Sequence, residues 1–181
     1  YSLANLKYTS QPRALTSQDM EKIKNFDHEA YPKFSRAVYL FLFSYYAFGV
    51  NLKELSSLKR SNIYGKELRY KRSKTGEEFC FELNADGLRI IGHFNSDSEY
   101  LFPVLSEFHK TAQQQKDRIH KVQGQINKTL KQVAQVLEID VNLTFYVARH
   151  TMATTLKRKQ ISTDVIKEVG LAIKRWTKVK H

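Results

Sequence analysis

The stretch that decides the fold is LTFYVARHTMATTLKRK, residues 143–159. No Gly or Pro interrupts it, and Thr144 is placed to cap a helix that begins at the next residue. Apolar residues recur here at helical spacing: Phe145, Ala148, Met152 and Leu156. This stripe predicts a helix whose one face packs on a core.

The same helix carries a polar face beside its apolar stripe. Tyr146, Arg149 and His150 share that face, because residues three and four apart lie on one side of a helix. Arg149 then lies at the border of the buried stripe, where a guanidinium is costly unless it is paired. Its anionic partner is predicted to be either a carboxylate of the chain or an external phosphate.

The overall charge of the chain points to a polyanionic partner. The 181 residues suffice for one domain with its own core, and their formal net charge of +12 is typical of nucleic-acid-binding proteins. A merely soluble basic protein is the plainer alternative. The one cysteine, Cys80, fits a reducing compartment. The longest apolar run, residues 37–50, is too short to span a bilayer, so no membrane partner is expected.

Patterns along the rest of the chain predict a mainly α fold (α+β) with a small antiparallel three-stranded sheet and no internal domain boundary. Helices are expected to begin near Thr16 or Ser17, to run over about 33–48, 85–94, 111–137 and 144–159, and to begin again near 51 and 163. Asn51 and Glu54 have the spacing of a capping box. The strands fall in 61–83, where Phe79 and Phe81 alternate with polar residues.

Positive charge is concentrated in two segments. The candidate DNA-binding residues there are Arg69, Lys71, Arg72 and Lys74 in the strand region, and Lys157 and Arg158 at the start of a basic C-terminal stretch. Each segment alone is ordinary for a solvated face, but together with Arg149 they predict contacts to a phosphate backbone. No phosphate-binding glycine loop or metal-ligand spacing occurs, so no cofactor or metal is expected.

Four segments together resemble the catalytic domain of the tyrosine recombinases, or phage integrase family, and most of all the integrases of Bacteroides-type mobile elements. They are FLFSYYAFGVNLKELSSLKRSNI (41–63), KRSKTG (71–76), INKTLKQVAQVLEI (126–139) and LTFYVARHTMATTL (143–156). The resemblance implies a helical catalytic domain over 13–181 with a small antiparallel sheet, preceded by an incoming linker over 1–12. The DNA-clamping domain that precedes it in the family is expected to lie outside this chain.

The resemblance also implies a chemistry that needs no cofactor. In the family, a tyrosine attacks a DNA phosphate to form a phosphotyrosine link, which the hydroxyl of a second strand then reverses. Two arginines clamp the nonbridging oxygens, a hairpin lysine protonates the leaving oxygen, and a histidine assists proton transfer. The implied partners are duplex DNA and other recombinase protomers in a synaptic complex, in the bacterial cytoplasm at the nucleoid.

Four catalytic positions carry over from the family to this sequence. Lys74 matches the hairpin lysine, and Arg149 matches the second arginine, which would make the scissile phosphate its partner. His150 commonly follows that arginine and is expected to support the site locally. Tyr146 stands where many members have a histidine; its hydroxyl can donate a hydrogen bond but is a poor base near neutral pH.

Three departures from the family pattern bear on activity. Phe48 stands where the first arginine is expected, and no Gly-His pair occurs near the end, where Trp176 lies late for the usual substitute. No tyrosine follows Tyr146, and His181 lies near the expected place of the nucleophile. Either the last segment is divergent or incompletely represented, or the chain is an inactive DNA-binding relative or a remnant of a mobile-element integrase. A basic helical domain that binds RNA or protein is the third interpretation.

Overall fold

A computed structural model of the chain describes residues 14–73, 76–95 and 97–160. Its helices are α1 (Ser17–Lys24), α2 (Pro32–Tyr46), α3 (Leu52–Ser57), α4 (Ala85–His93), α5 (Ala112–Val136) and α6 (Phe145–Arg158). Its strands are β1 (Ile63–Tyr64), β2 (Glu67–Lys71) and β3 (Glu78–Glu82). The predicted mainly α fold with a small three-stranded sheet is confirmed. The predicted linker, Lys74 and the helix expected near 163 lie outside the described residues.

The three strands form an antiparallel sheet in the order β1-β2-β3. Leu68 pairs with Phe81 and Tyr70 with Phe79. Phe79 and Phe81 are buried and the polar residues between them are exposed, as the alternation predicts. The sheet therefore lays one aromatic face on the helical body and leaves the other in solvent.

Helix α2 is the centre of the core, packed against α4, α5 and α6. Phe41 and Phe43 of α2 are completely buried. The stripe predicted for α6 is buried in this core: Phe145, Ala148, Met152 and Leu156. Helix α5 buries Ile126, Leu130 and Val133 there in the same way. The large apolar area removed from water here is what holds α6, and hence Arg149, in position.

The chain turns sharply after α2, which ends two residues before the predicted limit. Phe48 and Gly49 have positive φ angles of 54° and 78°, which a helix cannot contain. Ser44 fixes the turn from within the helix: its carbonyl accepts a hydrogen bond from Gly49 N at 2.7 Å, and its hydroxyl donates to Val50 O at 2.7 Å. The turn brings the backbone at Gly49 against α6.

Candidate functional site

A cavity of about 410 Å³ opens between α3, α5, α6, the turn after α2 and the end of β2. The polar side chains in its wall are Asn51, Lys53, Ser73, Gln123, Tyr146 and Arg149. Leu52, Ile119 and Phe145 supply apolar wall. We call this space the Arg149 cavity. Its size lies within the usual range of ligand-binding cavities.

Arg149 is half-buried at the cavity wall and is held only loosely by the protein. Its Nη1 lies 3.5 Å from Gly49 O, at the long limit of a hydrogen bond. Burial lowers the pKa of Arg149 from its ordinary value, and the positive charge of Arg72 lowers that pKa further. No salt bridge links Arg149 to a carboxylate within the described residues. The guanidinium, which stays charged in proteins, is thus left with much of its capacity to bind an anion.

Gly49 permits the close approach of the turn to α6. A Cβ added there would lie 2.8 Å from Cγ and 3.0 Å from Cα of Arg149, closer than real Cβ contacts. Its φ of +78° also belongs to the region that favours glycine. Gly49 therefore sets where Arg149 lies, although it contributes no side chain.

A buried ion pair lies beside the cavity. Arg72 Nε donates to Glu54 Oε1 at 3.1 Å, and the two side chains are only 13% and 4% exposed. The guanidinium carbon of Arg72 is also 5.7 Å from the centre of the Phe79 ring. The negative charge of Glu54 raises the pKa of Arg149 without contacting it. The sequence predicted that Arg149 pairs either with a carboxylate of the chain or with an external phosphate. Glu54 is the carboxylate that acts on Arg149 here, but its hydrogen bond is to Arg72.

Tyr146 and His150 stack edge to face on α6, with ring centres 4.5 Å apart. Tyr146 is 55% exposed and lines the cavity, whereas His150 is only 6% exposed. Tyr146 is thus the exposed member of this ring pair and His150 the buried one. The expected role of His150, local support of the site, stays a prediction.

The start of α6 is fixed from another helix. Thr144 occupies the N-cap position, but its side chain forms no cap hydrogen bond, so that part of the prediction is wrong. A different N–H at this helix start is bonded by Asn127 of α5, whose Oδ1 accepts from Phe145 N at 2.9 Å. A side chain 18 residues away thereby satisfies one of the orphan N–H groups at the helix start.

This difference gives a paired prediction. Asn127→Ala should lower the free energy of unfolding by about 1–2 kcal/mol, because it leaves the N–H of Phe145 unsatisfied. Thr144→Ala should change it by less than about 0.5 kcal/mol, because no cap bond is lost. Urea unfolding of both variants measures the two values. Equal losses in the two variants would show that Asn127 does not hold the start of α6.

The six candidate DNA-binding residues differ in their surroundings. Lys71, Lys157 and Arg158 are exposed, and Arg69 is exposed in an ion pair with Glu67. Arg72 is instead half-buried with Glu54. Lys74 lies outside the described residues, but Ser73 lines the cavity, and the chain turns back there through a bond from Gly76 N to Arg72 O at 2.9 Å.

Sequence reasoning missed several residues around the cavity. Asn51 and Lys53 were placed on a short helix with no role in the site, and Gly49 was passed over. Tyr70 also belongs here: burial raises its pKa most, the charge of Glu54 raises it too, and Arg72 and Arg149 lower it. The available signal was a glycine between α2 and Asn51, which marks a position of close backbone approach.

Comparison with known proteins identifies the family. The model of the Phage integrase family matches residues 13–170. The chain belongs to the phage integrase family. The family resemblance drawn from the four quoted segments is therefore confirmed at this level. No curated protein resembles this integrase-family chain closely enough to count as a match.

Solved structures of integrases and recombinases share the fold. The crystal structure of XerA recombinase superposes with a TM-score of 0.62, at 19% identity over 90% of this chain and 57% of that one. A lambda integrase dimer bound to a COC′ core site gives 0.58, at 18% identity over 88% and 58%. The Tn1549 transposon integrase with transposon right end DNA gives 0.56, at 14% identity over 91% and 59%. The chain thus spans less than two thirds of each of these structures.

The described residues contain neither a membrane-spanning helix nor a cluster of metal ligands. No helix among residues 14–160 that the structure describes is long and apolar enough to cross a membrane. In the same part of the chain, no group of three or more His, Cys, Asp or Glu is placed to bind a metal ion.

Proposed function

We propose that the chain is the catalytic domain of a site-specific tyrosine recombinase that binds duplex DNA and holds one backbone phosphate in the Arg149 cavity. The observation that carries the proposal is the half-buried Arg149 at the cavity wall, with no salt bridge to any described carboxylate. A desolvated cation without a contacting anion is costly. A phosphate bound in the cavity would supply that anion.

The charge of the chain and the fold support duplex DNA as the partner. The net charge is +12, and exposed Lys71, Lys157 and Arg158 add cations that can bind successive phosphates. Solved structures with this fold include a lambda integrase tetramer bound to a Holliday junction and integrases bound to their end or core-site DNA. By analogy, this chain would bind duplex DNA beside other protomers in a synaptic complex.

Each catalytic candidate has a proposed part in this site. Arg149 would hold the nonbridging oxygens of the phosphate, and Lys74 on the hairpin would protonate the leaving oxygen. Tyr146, at the cavity wall, would donate a hydrogen bond to the phosphate, while His150 keeps the Tyr146 ring in place. A bacterial mobile element of the Bacteroides type, acting at the nucleoid, is the proposed setting.

Strand cleavage by the 181 residues alone is not part of this function. Cleavage in the family needs a tyrosine nucleophile, and none follows Tyr146 in the sequence. One observation favours the second candidate, an inactive DNA-binding relative or remnant of such an integrase. The Phe48 ring packs edge to face on Phe81, 5.0 Å between centres, so this position provides apolar packing where the family resemblance calls for an arginine.

A gel assay on a nicked suicide duplex separates binding from cleavage. The 181-residue chain should shift the duplex and form no adduct that survives denaturation, because it contributes cations but no nucleophile. Native and denaturing gels of the same reaction measure both. A covalent adduct formed by this chain would contradict the claim that these residues supply no nucleophile. An unshifted duplex would contradict DNA binding.

Competition distinguishes the remaining class, a basic RNA-binding domain. Duplex DNA and duplex RNA of equal length and sequence should be offered together at one salt concentration. The proposed recombinase function predicts that the chain binds DNA in preference to RNA. The reason is that A-form RNA presents its phosphates with a different spacing and groove geometry. Equal retention or a preference for RNA would favour the alternative.

A further inference from the structure

The Arg149 cavity lies close to a second guanidinium that sequence reasoning counted only among the general DNA-binding cations. Arg72 precedes Ser73, which lines the cavity, and its side chain is 13% exposed. Arg69, three residues earlier in β2, has its side chain 52% exposed. The two arginines therefore differ in environment, although they lie close together in the sequence.

Contacts on two sides hold Arg72. Its Nε is engaged by Glu54 Oε1 at 3.1 Å, and its guanidinium carbon lies 5.7 Å from the centre of the Phe79 ring. A guanidinium has five N–H donors in a rigid fork, and this bond with Glu54 uses one of them. An arginine fixed in this way loses little further freedom when it binds a second anion.

The electrostatics couple Arg72 to Arg149. The charge of Arg72 lowers the pKa of Arg149, and both arginines lower the pKa of Tyr70. Glu54 acts on both Arg149 and Tyr70. These four side chains form one cluster, in which two guanidiniums and one carboxylate leave a single positive charge. A phosphodiester carries one negative charge and would neutralise the cluster.

A role in stability alone explains the pairing of Arg72 with Glu54 less completely than a role in phosphate binding does. Buried Glu54 needs a cation, and Arg72 supplies it. However, a buried ion pair contributes little net stability compared with apolar residues of the same volume. Stability alone therefore gives no reason for a carboxylate at this position. Phosphate binding does give a reason, because a carboxylate here can orient the Arg72 guanidinium toward a phosphate. Outer partners orient the ligands of other charged sites in the same way.

We propose that Arg72, aimed by Glu54, is the second guanidinium that binds the phosphate in the Arg149 cavity, in place of the arginine that Phe48 replaces. The proposal rests on the proposed function, because it concerns the same phosphate. Glu54 is then a positioning residue, and Arg72 binds the phosphate oxygens directly. Lys53, an exposed cation in the cavity wall, is the alternative residue for the second phosphate-binding cation.

The arginine Nε–H signals in ¹⁵N–¹H NMR spectra test this directly on the unaltered chain. Inorganic phosphate is the first probe and a short duplex the second, and single Arg→Lys variants assign the signals. The Arg72 and Arg149 signals should move together with one dissociation constant when phosphate is added. Arg69, three residues before Arg72, is the matched control, and its signal should not move when phosphate is added.

Double variants with an unchanged net charge measure how much Arg72 and Glu54 contribute to phosphate affinity. Arg72→Gln with Glu54→Gln removes one charge of each sign, as does the control, Arg69→Gln with Glu67→Gln. The first double variant should bind inorganic phosphate about 10-fold or more weakly, because it loses charge-assisted hydrogen bonds. The control should bind as the unaltered chain does. The NMR titration decides the question if the first double variant does not fold.

The outcomes separate this inference from the proposed function. Movement of Arg149 without Arg72, or loss of phosphate affinity in Lys53→Gln but not in the Arg72 and Glu54 double variant, would overturn the role of Arg72 and leave DNA binding intact. An Arg72 signal that responds to neither probe, while the Arg69 signal responds to the duplex, would also overturn the role of Arg72 and leave DNA binding intact. If neither phosphate nor duplex moves any arginine signal, the proposed function fails with it.

Discussion

Replacing Arg72 with alanine should lower the free energy of unfolding by about 3–5 kcal/mol, because it leaves a buried carboxylate without a cation. The Glu54 side chain is only 4% exposed, so water cannot take the place of the guanidinium without a rearrangement of the surrounding residues. Urea unfolding followed by circular dichroism measures the change, provided that the slope with urea is the same in both proteins.

Two control variants identify the cause of that loss. Arg69→Ala, three residues earlier, should leave the stability nearly unchanged, because its ion pair with Glu67 is exposed. Arg72→Met combined with Glu54→Leu should recover most of the stability, because both charges leave the interior together. A single Arg72→Ala variant as stable as the unaltered chain would mean that Glu54 is not buried as described.

Gly49→Ala should lower the free energy of unfolding by about 2–5 kcal/mol, through two effects that add. Alanine at a φ of +78° is strained, at a cost of about 1–2 kcal/mol. The new methyl group would also lie 2.8 Å from Cγ of Arg149, and relieving such overlap costs about 1–3 kcal/mol. The same variant should weaken duplex binding, because Arg149 must move away from the cavity wall.

Gly65→Ala separates the two effects. Gly65 has a φ of +62°, but an added Cβ there meets no atom within 4 Å. It should therefore show the backbone cost alone, with no loss of duplex affinity. Thermal or urea unfolding and a duplex titration on both variants make the comparison. Equal effects of the two substitutions on both measurements would show that Gly49 does not position Arg149.

The sequence was most informative where the determining contacts are local. The apolar stripe from Phe145 to Leu156 and the alternation of Phe79 and Phe81 predicted which faces are buried, because side-chain direction follows directly from helix and strand geometry. Arg149 could be placed at the border of the buried stripe for the same reason. What binds to it could not be predicted, since its neighbours come from the turn at Gly49 and from the sheet.

Two caps show how contacts between distant residues override local patterns. The spacing of Asn51 and Glu54 predicted a capping box, and Asn51 Oδ1 does accept from Glu54 N at 2.9 Å. The carboxylate of Glu54 instead binds Arg72, because a buried charge takes the cation that packing brings to it. At the start of α6, the Thr144 side chain forms no cap bond, and Asn127 of α5 accepts from the N–H of Phe145. Neither partner is visible in a window of a few residues.

The hairpin shows the same limit for the candidate site. Sequence reasoning treated Arg69, Lys71 and Arg72 as one basic cluster, because charge spacing alone does not reveal burial. The structure leaves Arg69 and Lys71 in solvent and turns Arg72 toward Glu54. The distinction follows from the contact that Arg72 makes with the buried carboxylate of Glu54 on α3. Binding of DNA by Arg72 stays a prediction.

The salt dependence of duplex affinity tests most directly whether Arg149 binds a backbone phosphate. The logarithm of affinity should fall linearly and steeply with the logarithm of salt concentration, and Arg149→Ala should reduce the slope by about 0.9, the contribution of one phosphate contact. Lys33→Ala removes the same charge at the far end of α2, about 20 Å along that helix from Tyr46, and should leave the slope unchanged. Absent binding, an affinity independent of salt, or an unchanged slope in Arg149→Ala would contradict a phosphate in the Arg149 cavity.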